Sequence, residues 1–488
     1  MRKAFSSQRR LDCGGILGVP LNLDCRDEII PILRAVQQIY SRPELRNQIL
    51  DLIAADVNQD ARDDVGREGM DYWQILVLAA VRLGCNLDYD KLQDLAEQHR
   101  TLRHIMGIGD WCAANDFGWR RIRDNLCLLK PTTIEKISHL IVAEGHCLQP
   151  EAAKQVRADS FVIETNIHWP TESTLIRDGI RKVLKLCVVI AATLQLDGWR
   201  QSAHLLKKVK RLSRQIERIA SRKGPNYQER LKPTYRELLT LSGIITRRAH
   251  ELLQQAEASQ ELAGGAQVSQ LRVFLERTEQ VRGTARRRVL QIETVPNEEK
   301  LFSIFEPHTQ LYKRGKAGEP VQFGRLAMIY EDAAGFITHS YLLGREEQDR
   351  DVVVPQTRIV QERLNGAIEE ASFDRGFHSP DNQRQLAEII PRPCLLRSGA
   401  KQSAEQSQQA TVSFRRARQR HAGVESVIGA LQAGNGLRRS RDRTELGFDR
   451  YLALGVLGRN LHVLGKLLIA QEASKCEAAR SLRNKQAA

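Results

Sequence analysis

The chain has 488 residues, 42% of them hydrophobic and only 5% aromatic, a size for two or three domains and a composition that suits a helix-rich globular protein. Lys and Arg number 74 against 59 Asp and Glu, a formal charge of +15 that favours a polyanionic partner, although a generally basic soluble protein carries the same balance. Nine cysteines without a C-x-x-C pair argue against a zinc ribbon and read as free thiols in a reducing cytoplasm. The stretch Leu186 to Leu194 is too short to span a bilayer and no apolar segment backs Met1 to Arg10, so a cytoplasmic protein without a membrane is expected.

In chain order, residues 1–150 alternate helical patterns with short breaks. Tyr72 to Leu83 is the strongest core helix, stopped by Gly84, and Asn86 to Glu97 opens a second helix across a short turn. That is the shape of a helix-turn-helix, with Arg100, Arg103 and His104 behind it and Arg120, Arg121 and Arg123 further on. The block reads as a DNA-reading domain or, equally, as a plain helical bundle.

Next, Val156 to Ile163 is an apolar strand interrupted by Asp159, and a lone buried carboxylate there costs several kcal/mol unless a cation repays it. The turn Asn166 to Glu172 ends in the helix start Pro170-Thr171. His168 and Glu172 in that turn are expected behind the acidic site. Residues 173–300 are helical by pattern, with a bend at Gln260 to Gln267. Within them Lys207, Lys208, Lys210, Arg211 and Arg214 crowd one segment, either tracking phosphates or forming a solvated face.

Sheet resumes in residues 301–470. Val321 to Tyr330 and Phe336 to Leu342 make an antiparallel hairpin about Asp332 to Gly335. A helix over Thr357 to Leu364, a strand ending at Asp374, a helix over Pro380 to Glu388 and a proline-bearing edge strand over Ile389 to Leu396 follow. Arg397 to Ser413 lacks apolar anchors and is expected to be a loop. Beyond it Val424, Ile428 and Leu431 form a helical stripe with Glu425 beside it, Tyr451 to Leu468 is a core helix, and 471–488 is a basic tail.

Asp159, Asp374 and Glu425 thus come from three elements, each at a place where an ordinary surface carboxylate is hard to explain. An all-oxygen set without a Cys or His pair favours Mg²⁺ or Mn²⁺, and two such ions about 3.5–4 Å apart can drive phosphodiester displacement.

Three ordered blocks carry a resemblance: Arg157-Ala158-Asp159-Ser160-Phe161 with Asn166 and His168, then Phe373-Asp374-Arg375-Gly376-Phe377, then His421-Ala422-Gly423-Val424-Glu425 with Asn460-Leu461 downstream. They resemble the DDE transposases of bacterial insertion sequences, the ISNCY-like subgroup, over most of the chain from about residue 70 onward. The resemblance implies a mixed α/β fold: an RNase H-like sheet core (151–172 and 301–470) with a helical N-terminal end-binding domain and a helical insertion after the first strand. It also implies Asp159, Asp374 and Glu425 as catalytic residues and ligands of two Mg²⁺ or Mn²⁺ ions. Double-stranded DNA, as transposon ends and target, is the implied partner, with a homodimer joining two ends and the protein held at the nucleoid through DNA. Where related transposases set a Tyr, an Arg and a Lys around the Glu, Arg418, His421 and Gln432 stand here, and Arg418 and Arg420 offer positive charge. Two alternatives share these features: a catalytically inactive transposase-derived DNA-binding protein, and another RNase H-like nuclease such as a junction resolvase.

Overall fold

The structure is a computed structural model describing residues 3–5, 12–58, 69–111, 118–222, 224, 226–259, 265–313, 320–395 and 411–487. Seven helices come first: α1 (Ile29–Ser41), α2 (Pro43–Val57), α3 (Tyr72–Gly84), α4 (Tyr89–Gln98), α5 (Arg100–Ile105), α6 (Trp119–Leu126) and α7 (Pro131–Leu148). Strand β1 (Gln155–Thr165) leads into α8 (Glu172–Thr193), α9 (Ser202–Ser221), α10 (Tyr227–Ala258) and α11 (Ala266–Ala285). The remaining elements are β2 (Gln310–Tyr312), β3 (Gln322–Asp332), β4 (Ile337–Leu342), α12 (Asp349–Arg363), β5 (Glu370–Phe373), α13 (Pro380–Ile389), β6 (Arg392–Leu395), α14 (Val412–His421), α15 (Val424–Ala433), β7 (Arg439–Ser440) and α16 (Glu445–Ala487). The fold is mixed α/β. It forms two compact units, Met1–Glu164 with Arg325–Ala488, and Thr165–Gly324.

Local chemistry fixes the helix starts. Asp71 and Gln74 make a capping box at α3, with Asp71 N donating to Gln74 Oε1 at 3.3 Å. Asp88 accepts from Lys91 N (2.8 Å) at α4, Thr171 from Thr174 N (3.3 Å) at α8, and Ser379 from Asn382 N (3.0 Å) at α13, where Pro380 occupies the first turn. The predicted helix over Thr357 to Leu364 starts earlier, at Asp349, because Gln348 and Asp351 form a capping box and Val352, Val353 and Val354 bury one turn. Pro355 inside that helix removes one N–H without ending it.

The sheet order is β2-β3-β1-β5-β6, with β4 paired to β3 and β7 to β1. The hairpin β3–β4 is antiparallel, whereas β1, β5 and β6 run parallel to one another. Strand β6 lies at the edge, as its prolines require. The short strands β2 and β7 carry too few residues for an alternation to be read in sequence.

In the first unit a single core joins the N-terminal helices to the sheet: Ile32, Trp73, Leu78 and Ile141 share it with Phe161 and Ile163 of β1, Ile329 of β3 and Leu457 and Leu464 of α16. Helix α16 returns from the far end of the chain to pack on α1, α3 and α7, so the helices of residues 1–150 share this core with it. The approach is close. An added Cβ at Gly458 would overlap the backbone of Gly84, and one at Gly465 the carbonyl of Pro31. Buried Asn460 satisfies both backbone groups of Ile337, accepting from its N–H (2.7 Å) and donating to its carbonyl (2.9 Å), and donates to Ser138 Oγ at 2.8 Å.

Helix α16 is a longer apolar stretch than the Leu186 to Leu194 run weighed against a membrane span in the sequence. Its portion Glu445–Ser481 is long and apolar enough to cross a membrane, with an 18-residue window of mean hydropathy 1.4, yet 72% of that window is buried inside the protein. The expected basic tail at 471–488 continues this helix.

The second unit packs α8 against α9, α10 and α11. Its apolar side chains fall into two clusters, one with Ile180, Leu212 and Leu238, the other with Cys187, Leu253 and Leu271. Buried Arg282 links α11 to α10 through Ser242 Oγ (3.0 Å) and the Leu239 carbonyl (3.0 Å). Residues 260–264 of the expected bend and the loop from Arg397 to 410 lie outside the described residues; Ala266 and Gln267 already belong to α11, and the last part of the loop, from Val412, to helix α14.

Candidate active site

Strand β1 alternates: Val156, Ala158 and Ser160 are buried, while Gln155, Arg157 and Asp159 are half-exposed on the opposite face. Its parallel partner β5 stands in register Gln155 to Glu370, Arg157 to Ser372 and Ala158 to Phe373. One step beyond the Ala158 and Phe373 pair come Asp159 and Asp374, so the two acids occupy neighbouring positions on adjacent parallel strands, Asp159 within β1 and Asp374 just past the C-terminal end of β5. Asp374 is exposed and opens a short 3-10 turn over Arg375–Phe377, and Asp159 Oδ1 accepts from Ser160 N at 2.7 Å.

Glu425 comes from the other side. It is exposed in the first turn of α15, whose Val424, Val427, Ile428 and Leu431 are buried. The elbow between α14 and α15 lies against the same sheet face. His421 at its start shares a hydrogen bond with Ser372 of β5 (Nδ1 to Oγ, 3.2 Å). Burial holds the His421 pKa below the usual imidazole value, against the opposing pull of Asp374 and Glu425, which places both acids in its electrostatic neighbourhood. Asp159 and Asp374 are therefore neighbours on this patch of the sheet, and Glu425 follows four residues after the His421 that touches it. Among the described residues, no three His, Cys, Asp or Glu side chains are close enough together to hold an ion as they stand. The donor set, carboxylate oxygens alone, has the chemistry of a Mg²⁺ or Mn²⁺ site, and Asp374 and Glu425 are exposed.

Two buried carboxylates around this patch went unread in the sequence. Glu331 on β3 pairs with Arg157, and burial raises its pKa while Arg157 opposes the rise. Glu370 on β5 pairs with Arg420 and lies 4.0 Å from Arg392. Arg420, expected to contact DNA, makes this ion pair to the sheet while its side chain stays 43% exposed. The available signal was period two: Glu370 shares a strand face with Ser372 and Asp374.

The other basic residues sit as follows. Arg418 is exposed on α14. Arg120 and Arg121 are exposed on α6, and Arg123 is half-exposed and ion-paired to Asp124 at 2.7 Å. The guanidinium groups of Arg120 and Arg123 lie 5.0 and 5.2 Å from the Trp119 ring centroid. Arg100 and His104 are both taken up by Asp110 (2.8 and 3.0 Å), and buried Arg103 by the Glu97 and Gly109 carbonyls.

In the second unit Lys207, Lys208, Lys210, Arg211 and Arg214 are all exposed on α9, opposite buried Val209, Leu212 and Ile216, with Arg211 3.8 Å from Glu237. By sequence, residues 165–324 hold 28 Lys and Arg against 16 Asp and Glu, +12 of the chain's +15. His168 and Glu172 are engaged within that unit, by Asp178 (3.5 Å) and Arg288.

No protein-family model, curated protein or solved structure matches the chain.

Proposed function

We propose that the chain is a DDE transposase that binds the terminal inverted repeats of an insertion sequence and catalyses metal-dependent DNA strand cleavage and strand transfer. The observation that carries this reading is the strand register: Asp159 within β1 and Asp374 just past the end of β5 are neighbours across two parallel strands, and the α14–α15 elbow that leads to Glu425 is tied to the same face through His421 and Ser372. Asp374 lies at the C-terminal end of its strand, where α/β sheets build their sites. Further support comes from the order β4-β3-β1-β5-β6, a hairpin beside parallel strands, which is the order of an RNase H-like core.

In this reading Asp159, Asp374 and Glu425 hold two divalent ions, whose chemistry is to activate water or a 3′-hydroxyl and to stabilise the leaving oxygen. Arg375, exposed directly after Asp374, and Arg418 on α14 contribute positive charge for the scissile phosphate. The basic faces of α9 and α6 track the phosphates of end and target DNA, and a homodimer joins two ends in one complex. The protein then resides in the cytoplasm on nucleoid DNA.

Cleavage of three duplex substrates with Mg²⁺ tests the proposal: one bearing the inverted repeats that flank the reading frame, one scrambled, and one four-way junction. Nicking at the repeat boundary supports it. Preference for the junction supports a resolvase, and repeat binding without any cleavage supports an inactive transposase derivative.

A further inference from the structure

We infer that Arg157 is a positioning residue for Glu425, clamping the α14–α15 elbow to the strand that carries Asp159; this rests on the catalytic reading above. Arg157 lies on β1 two residues before Asp159 and on the same face. Its Nε donates to the carboxylate of Glu331, whose side chain is 2% exposed on the neighbouring strand β3, and its Nη1 donates to the carbonyl of Arg420 at 2.6 Å. That carbonyl belongs to the last turn of α14, where helix acceptors lack intrahelical partners, and it also accepts from Gly423 N at 3.1 Å. One guanidinium thus spans a buried anion on the sheet and the end of the helix that precedes Glu425.

The elbow is shaped around this group. Gly423 has ordinary helical dihedrals, φ −71° and ψ −11°, so backbone freedom is not why it is glycine. A Cβ there would overlap the Arg157 guanidinium instead. Two more ties reach the same few residues from β5: Arg420 to Glu370 and His421 to Ser372. Strands β1 and β5 therefore both grip the segment Arg420 to Gly423, with β3 holding the Arg157 guanidinium through Glu331, and Glu425 follows two residues later on a short helix. A lysine cannot replace the clamp, because a single ammonium lacks the planar fork that meets a carboxylate on one edge and a carbonyl on another.

The test uses the full chain and two readouts: hydrogen–deuterium exchange of the amides from residue 420 to 428, and Mn²⁺ affinity by EPR titration. Arg157→Gln is paired with Gly423→Ala, which displaces the guanidinium while keeping every charge. Arg157→Gln/Glu331→Gln removes the buried charge that the first variant would strand. Expected in all three are exchange at the elbow at least about tenfold faster and Mn²⁺ binding about 10–100-fold weaker, the range for loss of a group that orients metal ligands. Arg157→Lys should restore little of either. Asp374→Asn should weaken Mn²⁺ binding and leave elbow exchange unchanged. Unchanged exchange in Arg157→Gln and Gly423→Ala overturns the clamp. Faster exchange with intact Mn²⁺ affinity overturns its role toward Glu425 and spares the catalytic reading. A wild-type protein that binds no Mn²⁺ overturns that reading, and the positioning role with it.

Discussion

Arg420 of α14 is ion-paired with Glu370, a carboxylate 5% exposed on β5, while Arg418, two residues earlier on the same helix, faces solvent. The two arginines should separate in experiment. Arg420→Gln leaves a buried carboxylate with only distant Arg392, and should cost about 1–3 kcal/mol of stability, below the range for a fully buried pair because Arg420 is itself partly exposed. Arg418→Gln should leave the unfolding midpoint in place and weaken DNA binding at low salt. Equal stability of the two variants in urea denaturation would argue against the pairing.

The exposed cations of α9 make a second prediction. Replacing Lys207, Lys208, Lys210 and Arg211 by Gln should flatten the dependence of log K on log salt for random duplex DNA, by about 0.9 for each phosphate that these side chains neutralise. Melting temperature should hold, since they lie opposite the buried Val209, Leu212 and Ile216. A salt slope that does not change would move the DNA path away from this helix.

Acid should destabilise the first unit before it titrates most carboxylates. Burial pushes His139 down to about 3 and both His339 and His462 to about 4, from the ordinary 6.5. Arg363 faces His139 and His339, and Lys466 and Arg459 face His462, adding to the shifts. His339 is built neutral: Arg363 Nη1 donates to its Nδ1 (3.0 Å), so its Nε2–H donates to Gln356 Oε1 (2.7 Å). Because the folded pKa values lie below the unfolded one, this stability is complete above pH 6.5 and is lost as pH falls toward 4, by up to about 1.4 kcal/mol per pH unit for each histidine. Urea midpoints between pH 7.5 and 4.5 measure the slope. His339→Gln should make it shallower.

Gly465→Ala should destabilise the protein by about 2–3 kcal/mol, since the new methyl meets the backbone carbonyl of Pro31 and neither helix can yield without opening the packing along α1. Gly429→Ala on α15, which has open space around it, serves as the comparison and should be neutral or slightly stabilising. Comparable destabilisation in both would mean that α1 and α16 are not in backbone contact at Gly465.

The elements that sequence reveals here are those with local signatures. The apolar run Val156 to Ile163 marks a strand, though not that Asp159 faces its half-exposed side, the Asp332 to Gly335 turn marks a hairpin, and Ser379-Pro380 starts a helix. What stays hidden depends on partners far away in the chain. Nothing near Arg420 distinguishes it from the other arginines of α14, because Glu370 lies 50 residues upstream. The packing of α16 on the N-terminal helices stays hidden for the same reason: the apolar runs of α3 and α16 read as core helices, but not as each other's partners. Asp159 and Asp374 became legible as a pair through strand order; Arg157 and Glu331 did not, since an Arg beside an Asp in sequence suggests that those two pair with each other.

The most direct measurement is Mg²⁺-dependent cleavage of repeat-bearing DNA by Asp159→Asn, Asp374→Asn and Glu425→Gln, each isosteric and each checked for DNA binding. Expected in every one is at least about a hundredfold slower cleavage, a deficit of about 2.7 kcal/mol in transition-state stabilisation, with DNA affinity equal to or above that of the unsubstituted protein. Wild-type cleavage rates in any one of the three would remove that residue from the site and contradict the three-carboxylate mechanism.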